Sequence, residues 1–586
     1  MQYLTEQSNY DKTPHVEVAG YADHAWQGWP EILAQLRQQV TGQARSVLVI
    51  DTYYGTNHCE IYQQLIAPLN PALTVFTEDA RHSEQYLLSM LDRHITDDRV
   101  FGVIAPHKME EFFDRDKLSQ LQALIERQRD GLIVIYGHAA SLFATADILV
   151  YADMARWEIQ QRFRRGELGN WGANNNQEDL LRRYKRAFFV EWRVFDRYKA
   201  PLLAKADFVL DTNIARQPKL VSGAAFTAGL QQTAEQPFRL VPFFDPGVWG
   251  GQWMKQVCDL DPDQPNYAWC FDCVPEENSL RLKYGDVILE VPAQDLVLSQ
   301  PRALLGESVH ARFGAEFPIR FDFLDTMEGQ NLSLQVHPLT EYIQTEFGMH
   351  YTQDESYYML DCGPDASVYL GTQTGVDPEQ MMDALHSAQM GLCEFDDRHY
   401  INQFVAKKHD HFLIPAGTVH CAGTNAMVLE ISATPFIFTF KLWDWGRLGL
   451  DGLPRPVHLQ HGQQVIQWDR DTQWCRENLV NAVTPIAEGD GWREEVTGLH
   501  KRQFIETRRH WFSKPVLHRT EATVNVLNLI EGREARVTSP NGAFAPFVVH
   551  YAETFVIPAR VDEYRIEPWG ESAGQEIATI KAYVRG

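Results

Sequence analysis

The chain has 586 residues, of which 44% are hydrophobic and 22% are charged, and its formal net charge is −25. A chain of this length exceeds what one hydrophobic core supports, so two or more domains are expected. The negative charge argues against binding to nucleic-acid phosphates. No run of about 18 apolar residues and no secretory leader is found, so no membrane segment is predicted.

The cysteines favour a cytoplasmic protein. Eight cysteines in this length do not form the dense pattern of a disulfide framework. Cys270 and Cys273 make one CxxC pair, but a zinc site of that type needs a second pair at suitable spacing, which the sequence lacks. We therefore predict that both are ordinary strand residues.

The N-terminal part, residues 1–230, predicts a parallel α/β domain. Short apolar runs typical of buried strands alternate with helical patterns such as 116–128, which is the order expected of a parallel sheet. The predicted strands lie at 46–51, 72–76, 132–136 and 148–151.

The loop after the first of these strands is where a nucleotide-binding domain carries its phosphate cradle. A Walker A loop needs GxxxxGK[ST], and only Gly55 is present. Roughly residues 40–215 resemble the uridine-kinase-like branch of P-loop proteins without the phosphate loop, so phosphotransfer is not expected. Two interpretations stay open: a sensor or specificity domain for a phosphorylated ligand, and a degenerate scaffold with solvated basic helices. The basic residues concerned are Arg156–Arg165, Arg182, Arg183, Lys185 and Arg186.

The C-terminal half predicts two all-β barrels or jelly rolls, over 231–470 and 471–586. After a linker at 231–237, short strands and Gly/Pro turns dominate, including strands at 279–282 and 286–290. The segment HDHFLIPAGTVH, ending at His420, is similar to YAETFVIPARVDE, ending at Glu563. Duplication explains this repeat, with chance similarity as the alternative. We expect the second barrel to be a metal-free structural partner.

Three segments of the first barrel carry candidate chemistry. In LSLQVHP, Gln335 and His337 are two residues apart and share one face of a strand. Glu355 opens the strand DESYYML, and the turn in IPAGTVH delivers His420 to the next strand. Two imidazoles, a carboxylate and an amide oxygen inside a barrel predict a site for Zn²⁺ or another divalent transition metal.

From about Pro242 to the C-terminus the chain resembles the class I mannose-6-phosphate isomerases, which are zinc enzymes built from two cupin domains. The resemblance rests on segments in the family's order rather than on any single one. These are PFFDPGVWGG, FGAEFPIRFDFLD, NLSLQVHP, DESYYML, HFLIPAGTVH and FTFKLWDWGR.

The resemblance implies an aldose–ketose isomerase that interconverts mannose 6-phosphate and fructose 6-phosphate through a cis-enediol. Arg447 matches the family's active-site arginine and would stabilise negative charge. Glu430 matches an active-site glutamate and is a candidate base, with Asp444 as its competitor. The implied metal ligands are Gln335, His337, Glu355 and His420.

Two positions depart from the family. Asp322 and Gln353 stand where the family carries lysines that assist with substrate or phosphate, and Arg320, Lys407 or Lys408 are possible replacements. The alternatives are therefore an isomerase for another sugar, a sugar-phosphate-responsive regulatory protein, and a cupin epimerase or dioxygenase. The expected partner is a small sugar phosphate, with no nucleic acid and no membrane; the sequence does not predict the oligomeric state.

Overall fold

The computed structural model describes residues 7–434 and 437–585. The chain forms two compact units. His15–Thr233 and Glu276–Gln300 make the first, here called the α/β unit, and the segments up to Pro14, Ala234–Pro275 and from Pro301 onward make the second, the β unit. Over the described residues, no helix combines the length and the apolar character needed to cross a membrane.

The α/β unit contains a seven-stranded sheet, and the predicted parallel arrangement is present. Five neighbouring strands are parallel, and two antiparallel strands extend one edge. Arg45–Thr52 lies inside the sheet and is buried over almost its whole length, as a parallel strand covered on both faces must be. In spatial order the strands are Ala25–Gln27, Lys219–Ser222, Phe208–Asp211, Ile148–Asp153, Arg45–Thr52, Gly131–Gly137 and Leu73–Phe76.

Helices connect these strands. The predicted helix at 116–128 is Arg115–Arg127, and it begins there because the Asp114 carboxylate accepts from the backbone N–H groups of Asp116 and Lys117. The α-helices of the unit are Trp29–Val40, His58–Ile61, Ala67–Leu69, Glu84–Ile95, Arg115–Arg127, Arg156–Arg164, Leu180–Arg186, Trp192–Leu203, Gly223–Thr233 and Gln294–Ser299.

A separate three-stranded sheet corrects one expectation. The strands Ser279–Tyr284 and Val287–Pro292, predicted within the barrel region, belong to the α/β unit. They form a hairpin, and the first strand pairs in parallel with Val16–Glu17. Alternation along a strand identifies the strand but not its partner, so the sequence pattern could not assign this hairpin to a sheet. The three domain boundaries given by the sequence remain predictions.

The β unit begins with two facing sheets, here called the first sheet pair. Every strand pairing in them is antiparallel. Cys270 and Cys273 lie buried and unoxidised in one of these strands. The six-stranded sheet has the order His411–Ile414, Glu355–Cys362, Ala426–Ala433, Ile319–Asp325, Trp269–Cys273 and Phe243–Asp245; the five-stranded sheet has the order Ile401–Val405, Ser367–Thr372, His420–Ala422, Leu334–Val336 and Phe440–Trp443.

In the described residues of this region, eight helices connect or flank these strands. They are Trp253–Val257, Pro301–Leu305, Glu307–Phe313, Thr340–Phe347, Pro378–Gln389, Asp397–Tyr400, Leu459–Val465 and Thr472–Asn478.

The second sheet pair follows in the same unit and encloses an apolar core. Phe512, Phe555 and Ile577 are among its fully buried members. The repeat seen in the sequence has the same local structure in both pairs: a strand ending at Ile414 or Ile557, a turn, and a strand beginning at His420 or Glu563. The strand order is Thr484–Gly489, Trp492–Gly498, Ile505–Phe512, Ile577–Val584, Asn525–Glu531 and Thr554–Ile557 in one sheet, and Val516–Arg519, Glu563–Pro568, Glu534–Thr538 and Phe547–His550 in the other.

Candidate metal centre

Four of the sequence-predicted residues meet inside the first sheet pair. Gln335 and His420 lie opposite each other on antiparallel strands, and their side chains approach to 3.3 Å. Glu355 enters from the facing sheet, with Oε2 3.0 Å from His337 Nε2 and Oε1 2.9 Å from His420 Nε2. His337, Glu355 and His420 are fully buried.

The turn before His420 explains its position. Gly417 has φ +88°, a conformation that favours glycine, and a side chain there would collide with the carbonyl of Val465. The Gly417 N–H donates to the carbonyl of His337 at 2.9 Å. The turn is therefore fixed against the neighbouring ligand, and both histidines reach the same interior point.

Backbone carbonyls favour the same tautomer in both rings. His337 Nδ1 lies 3.1 Å from the carbonyl of Phe438, and His420 Nδ1 lies 2.8 Å from that of Thr418. A proton on each Nδ1 satisfies these carbonyls and directs the Nε2 lone pair of each ring to the centre.

The arrangement offers the donor atoms that a cation site needs. Among the described residues, His337 Nε2 and Glu355 Oε1 are buried without a hydrogen-bond partner. Ligand atoms of His337, Glu355 and His420 all lie within 4.8 Å of one another. Nitrogen and carboxylate donors in a closed interior fit zinc or a similar divalent transition metal, and the amide of Gln335 can supply a further oxygen.

Two opposing effects act on the pKa of the Glu355 carboxyl. Burial raises it, whereas positive charge on the adjacent His337 and His420 lowers it to well below its ordinary value. The carboxylate form is therefore favoured by positive charge at this centre, which a bound cation would supply when both rings are neutral.

Glu430 belongs to a buried polar network that touches this centre. The Gln353 amide donates to Glu355 Oε2 at 2.9 Å and to Glu430 Oε1 at 3.3 Å. Arg320 forms ion pairs with Asp322, at 2.9 Å, and with Glu430. Burial, together with the charges of Asp322 and Glu355, raises the pKa of Glu430 well above its ordinary value. Asp322 and Gln353, the two residues that stand where the family carries lysines, thus both lie in this network.

Asp444 and Arg447 form a separate group. Arg447 Nη2 pairs with one carboxylate oxygen of Asp444, and Arg455 pairs with the other. Arg447 Nη1 also donates to the carbonyl of Asn331 at 2.7 Å. Across the described part of the chain, no hydrogen bond or ion pair joins this group to the four side chains of the centre.

Sequence reasoning missed two cations near the site. Lys441 lies directly opposite Gln335 on the paired strand, so both side chains share a face. Arg470 donates to the carbonyls of Pro415 and Ala416 at 2.8 and 2.7 Å, and so holds the turn that delivers His420. Strand alternation within FTFKLW could have indicated which face Lys441 occupies. Nothing in the sequence near Arg470 indicates that it contacts the carbonyls of Pro415 and Ala416.

Two relatives of this chain are named as mannose-6-phosphate isomerases. The mannose-6-phosphate isomerase ManA of Bacillus subtilis (strain 168) is 26% identical over 233 residues, which are 40% of this chain and 68% of that protein. The probable mannose-6-phosphate isomerase GmuF of the same organism is 28% identical over 232 residues, 39% of this chain and 68% of that protein. About 40% of the chain is therefore homologous to mannose-6-phosphate isomerases. A crystal structure of the mannose 6-phosphate isomerase from Bacillus subtilis aligns with a TM-score of 0.49 at 16% identity, over 59% of this chain and 99% of that one.

The α/β unit has a different match. Residues 28–235 match a family described as a domain of unknown function, DUF8485. In this unit the loop after Arg45–Thr52 is filled by protein. Arg162 donates to the carbonyl of Gly55 at 2.7 Å, and a side chain at Gly55 would meet Ile159 at 2.8 Å.

The basic residues of the α/β unit are not simply solvated. Arg156, Arg162, Arg183, Lys185 and Arg186 are buried. Arg156 pairs with Asp196 at 2.8 Å and Arg186 with Glu191 at 3.1 Å. Protein groups therefore already neutralise both of these paired guanidinium groups.

Proposed function

We propose that this protein is a metal-dependent aldose–ketose isomerase that interconverts mannose 6-phosphate and fructose 6-phosphate. The observation that carries the proposal is the buried convergence of His337, Glu355 and His420. It occurs in a chain homologous to enzymes of that name. Gln335 would complete the ligand set.

Zinc is the metal we propose. When bound, it would polarise the substrate oxygens and stabilise the negative charge of an enediolate. His337 and His420 would bind it through Nε2, because their Nδ1 atoms face backbone carbonyls. Glu355 would bind it through its carboxylate.

Glu430 is the better of the two candidate bases. The isomerisation removes the proton on C2 of the aldose and returns it to C1 through a cis-enediol. A base for this step works best with a pKa near the operating pH, and burial raises that of Glu430 from the low value of an ordinary carboxyl. Both oxygens of Asp444 are held by arginines, and its pKa is lowered despite burial.

The phosphate partner must differ from the family's lysines. Arg320 is engaged by two carboxylates, and Lys408 pairs with Glu531 at 2.5 Å. We propose Lys441, on the same face as Gln335, as the cation that binds the phosphate. The replaced lysines also favour a second candidate, an isomerase of the same chemistry for another sugar phosphate.

Two further proposals concern the α/β unit and the location of the protein. We propose that the α/β unit is a degenerate P-loop-like scaffold that does not transfer phosphate, since the cradle position is filled by Arg162 and Ile159. A cytoplasmic location fits the eight unoxidised cysteines.

A coupled assay of the full-length, zinc-loaded protein tests the proposal. Mannose 6-phosphate is offered, fructose 6-phosphate is detected, and zinc per chain is measured by mass spectrometry. His420→Ala should lose both zinc and turnover. His411→Ala is the matched control, because His411 is equally buried and lies on the strand that pairs with that of Glu355. Its backbone is opposite Tyr358, and neither ring nitrogen has a hydrogen-bond partner among the described residues.

Three outcomes separate the possibilities. Turnover that persists in His420→Ala would overturn the metal site. Zinc without turnover on mannose 6-phosphate, followed by activity in a screen of sugar phosphates, would select the second candidate. Zinc without any turnover would contradict an isomerase and favour the regulatory protein.

A further inference from the structure

A polar cavity interrupts the apolar interior of the second sheet pair. It has a volume of about 220 Å³ and lies between the two sheets, with His510 and Lys581 on one and His518 on the other. Phe512 and Ile577, which oppose each other on the same two strands as His510 and Lys581, belong to the apolar core. The interior therefore changes from apolar to polar along its strands.

Lys581 is the unusual member of this cavity. It is 6% exposed, and it makes no hydrogen bond or ion pair with any residue that the structure describes. The closest recorded partner of its ammonium group is the ring of Tyr583, 5.6 Å from the ring centre. Directly opposite on the paired strand is another cation, Arg508. A buried ammonium group without a partner costs free energy unless an anion binds it.

The nearby acid Glu494 attracts Lys581 through space but forms no ion pair with it among the described residues. Glu494 Oε1 accepts from Arg508 at 3.1 Å and contacts His510 Nε2 at 3.0 Å. Burial raises the pKa of Glu494, but His510 and Arg508, with a smaller contribution from the charge of Lys581, lower it to about 2. Glu521, which also lines the cavity, is exposed to solvent.

Two imidazole nitrogens complete the lining. His510 Nδ1 and His518 Nε2 are buried and have no hydrogen-bond partner within the described ranges. Because His510 directs Nε2–H to Glu494, its Nδ1 is a lone pair that can accept from a hydroxyl group. Burial holds the pKa of His518 well below its ordinary value, so this ring is neutral. Within the residues that the structure describes, the second sheet pair has no group of three convergent metal ligands, and the groups that line its cavity suit an anion instead.

We propose that the second sheet pair binds a small hydroxylated anion, with its phosphate or carboxylate on Lys581 and a hydroxyl group on His510. The cavity volume limits the ligand to a few carbon atoms. The site does not depend on the isomerase proposal, and it gives the second sheet pair a ligand of its own.

Calorimetric titration of the full-length protein at neutral pH tests the site with three probes: inorganic phosphate, glycerol 3-phosphate and glycerate. The last two distinguish a phosphate ligand from a carboxylate ligand. Lys581→Met should weaken binding of the best probe at least about tenfold, since a charge-assisted hydrogen bond is lost. Lys581→Arg should keep most of the affinity. Lys514→Met is the matched control, because Lys514 lies in the same sheet pair but is exposed and pairs with Asp490.

The anion probe could bind at the metal centre instead of at Lys581. Repeating the titration with His420→Ala tests that alternative. Binding that persists in His420→Ala and falls in Lys581→Met supports the proposal. Binding that falls only in His420→Ala assigns the anion to the metal centre and overturns it. Equal affinity in wild type and Lys581→Met, or no binding of any probe at millimolar concentration, also overturns it. Circular dichroism of each variant separates lost binding from lost folding.

Discussion

The first sheet pair brings His337, Glu355 and His420 to one interior point, whereas the second places His510, His518 and Lys581 around a cavity. In the first, backbone carbonyls occupy both Nδ1 atoms, so the Nε2 lone pairs face a carboxylate. In the second, the carboxylate of Glu494 is held by Arg508 and His510.

The charged groups that remain without an ion-pair partner therefore decide what a polar interior can bind. A carboxylate left between two lone pairs attracts a cation. An ammonium group left without a carboxylate attracts an anion. The repeat predicts similar strands and turns in both pairs, and Glu563 stands in the second copy where the first has His420, one of the three convergent side chains.

The largest effect on metal binding is expected for Glu355→Gln. The substitution keeps the side-chain shape but removes the charge that faces both imidazoles, so zinc affinity should fall at least about 100-fold. Competition with a fluorescent chelator measures it. Asp361→Asn, on the same strand and bonded to Trp253 instead, should keep its zinc. Unchanged affinity in Glu355→Gln would contradict the ligand assignment.

Glu430→Gln should separate chemistry from metal binding. The neutral amide cannot take the carbon-bound proton, so kcat should fall by about 10²- to 10⁴-fold while zinc per chain stays constant. Asp444→Asn should lower kcat less. The reverse order of the two variants in steady-state assays would make Asp444 the base.

Arg470→Met tests the support of the His420 turn. Loss of the donors to Pro415 and Ala416 should loosen the turn and weaken zinc binding by about 10- to 100-fold, as for other residues behind a ligand. The same chelator competition measures it. An unchanged affinity would show that Gly417 and its bond to His337 suffice.

The smallest effect is expected for Lys581→Met, and it is a gain. Removal of an unpaired buried ammonium group should raise the melting temperature near neutral pH by roughly 2–4 °C. Burial lowers the pKa of Lys581 to about 8 from an ordinary 10.5. Between these two pH values the unfolded chain binds more protons at Lys581 than the folded chain does, so the free energy of unfolding of the wild type rises with pH. The gain in melting temperature of the variant over the wild type should therefore shrink as the pH rises.

Thermal unfolding of wild type and variant at about pH 7 and about pH 9.5 checks this dependence, with Lys514→Met as the control. A gain that is equal at both pH values would mean that Lys581 is not buried as an ammonium group.

Much of the fold could be predicted because it depends on local pattern. The apolar run 46–51 became the strand Arg45–Thr52, and the alternation near Gln335 and His337 became Leu334–Val336 with its flanking ligand. The hairpin Ser279–Tyr284 and Val287–Pro292 could not be assigned, because its partner Val16–Glu17 is about 260 residues away in sequence.

The sequence by itself determined the strands, the His420 turn and the residue types of a metal site, because alternation, glycine punctuation and donor chemistry act over a few residues. Only the tertiary structure decided which charges meet. Gln353 joins Glu355 to Glu430, Arg455 holds Asp444, and Lys581 has no carboxylate within ion-pair distance among the described residues. The cost or gain of a buried charge is set by partners that folding brings from distant segments, and no local pattern records them.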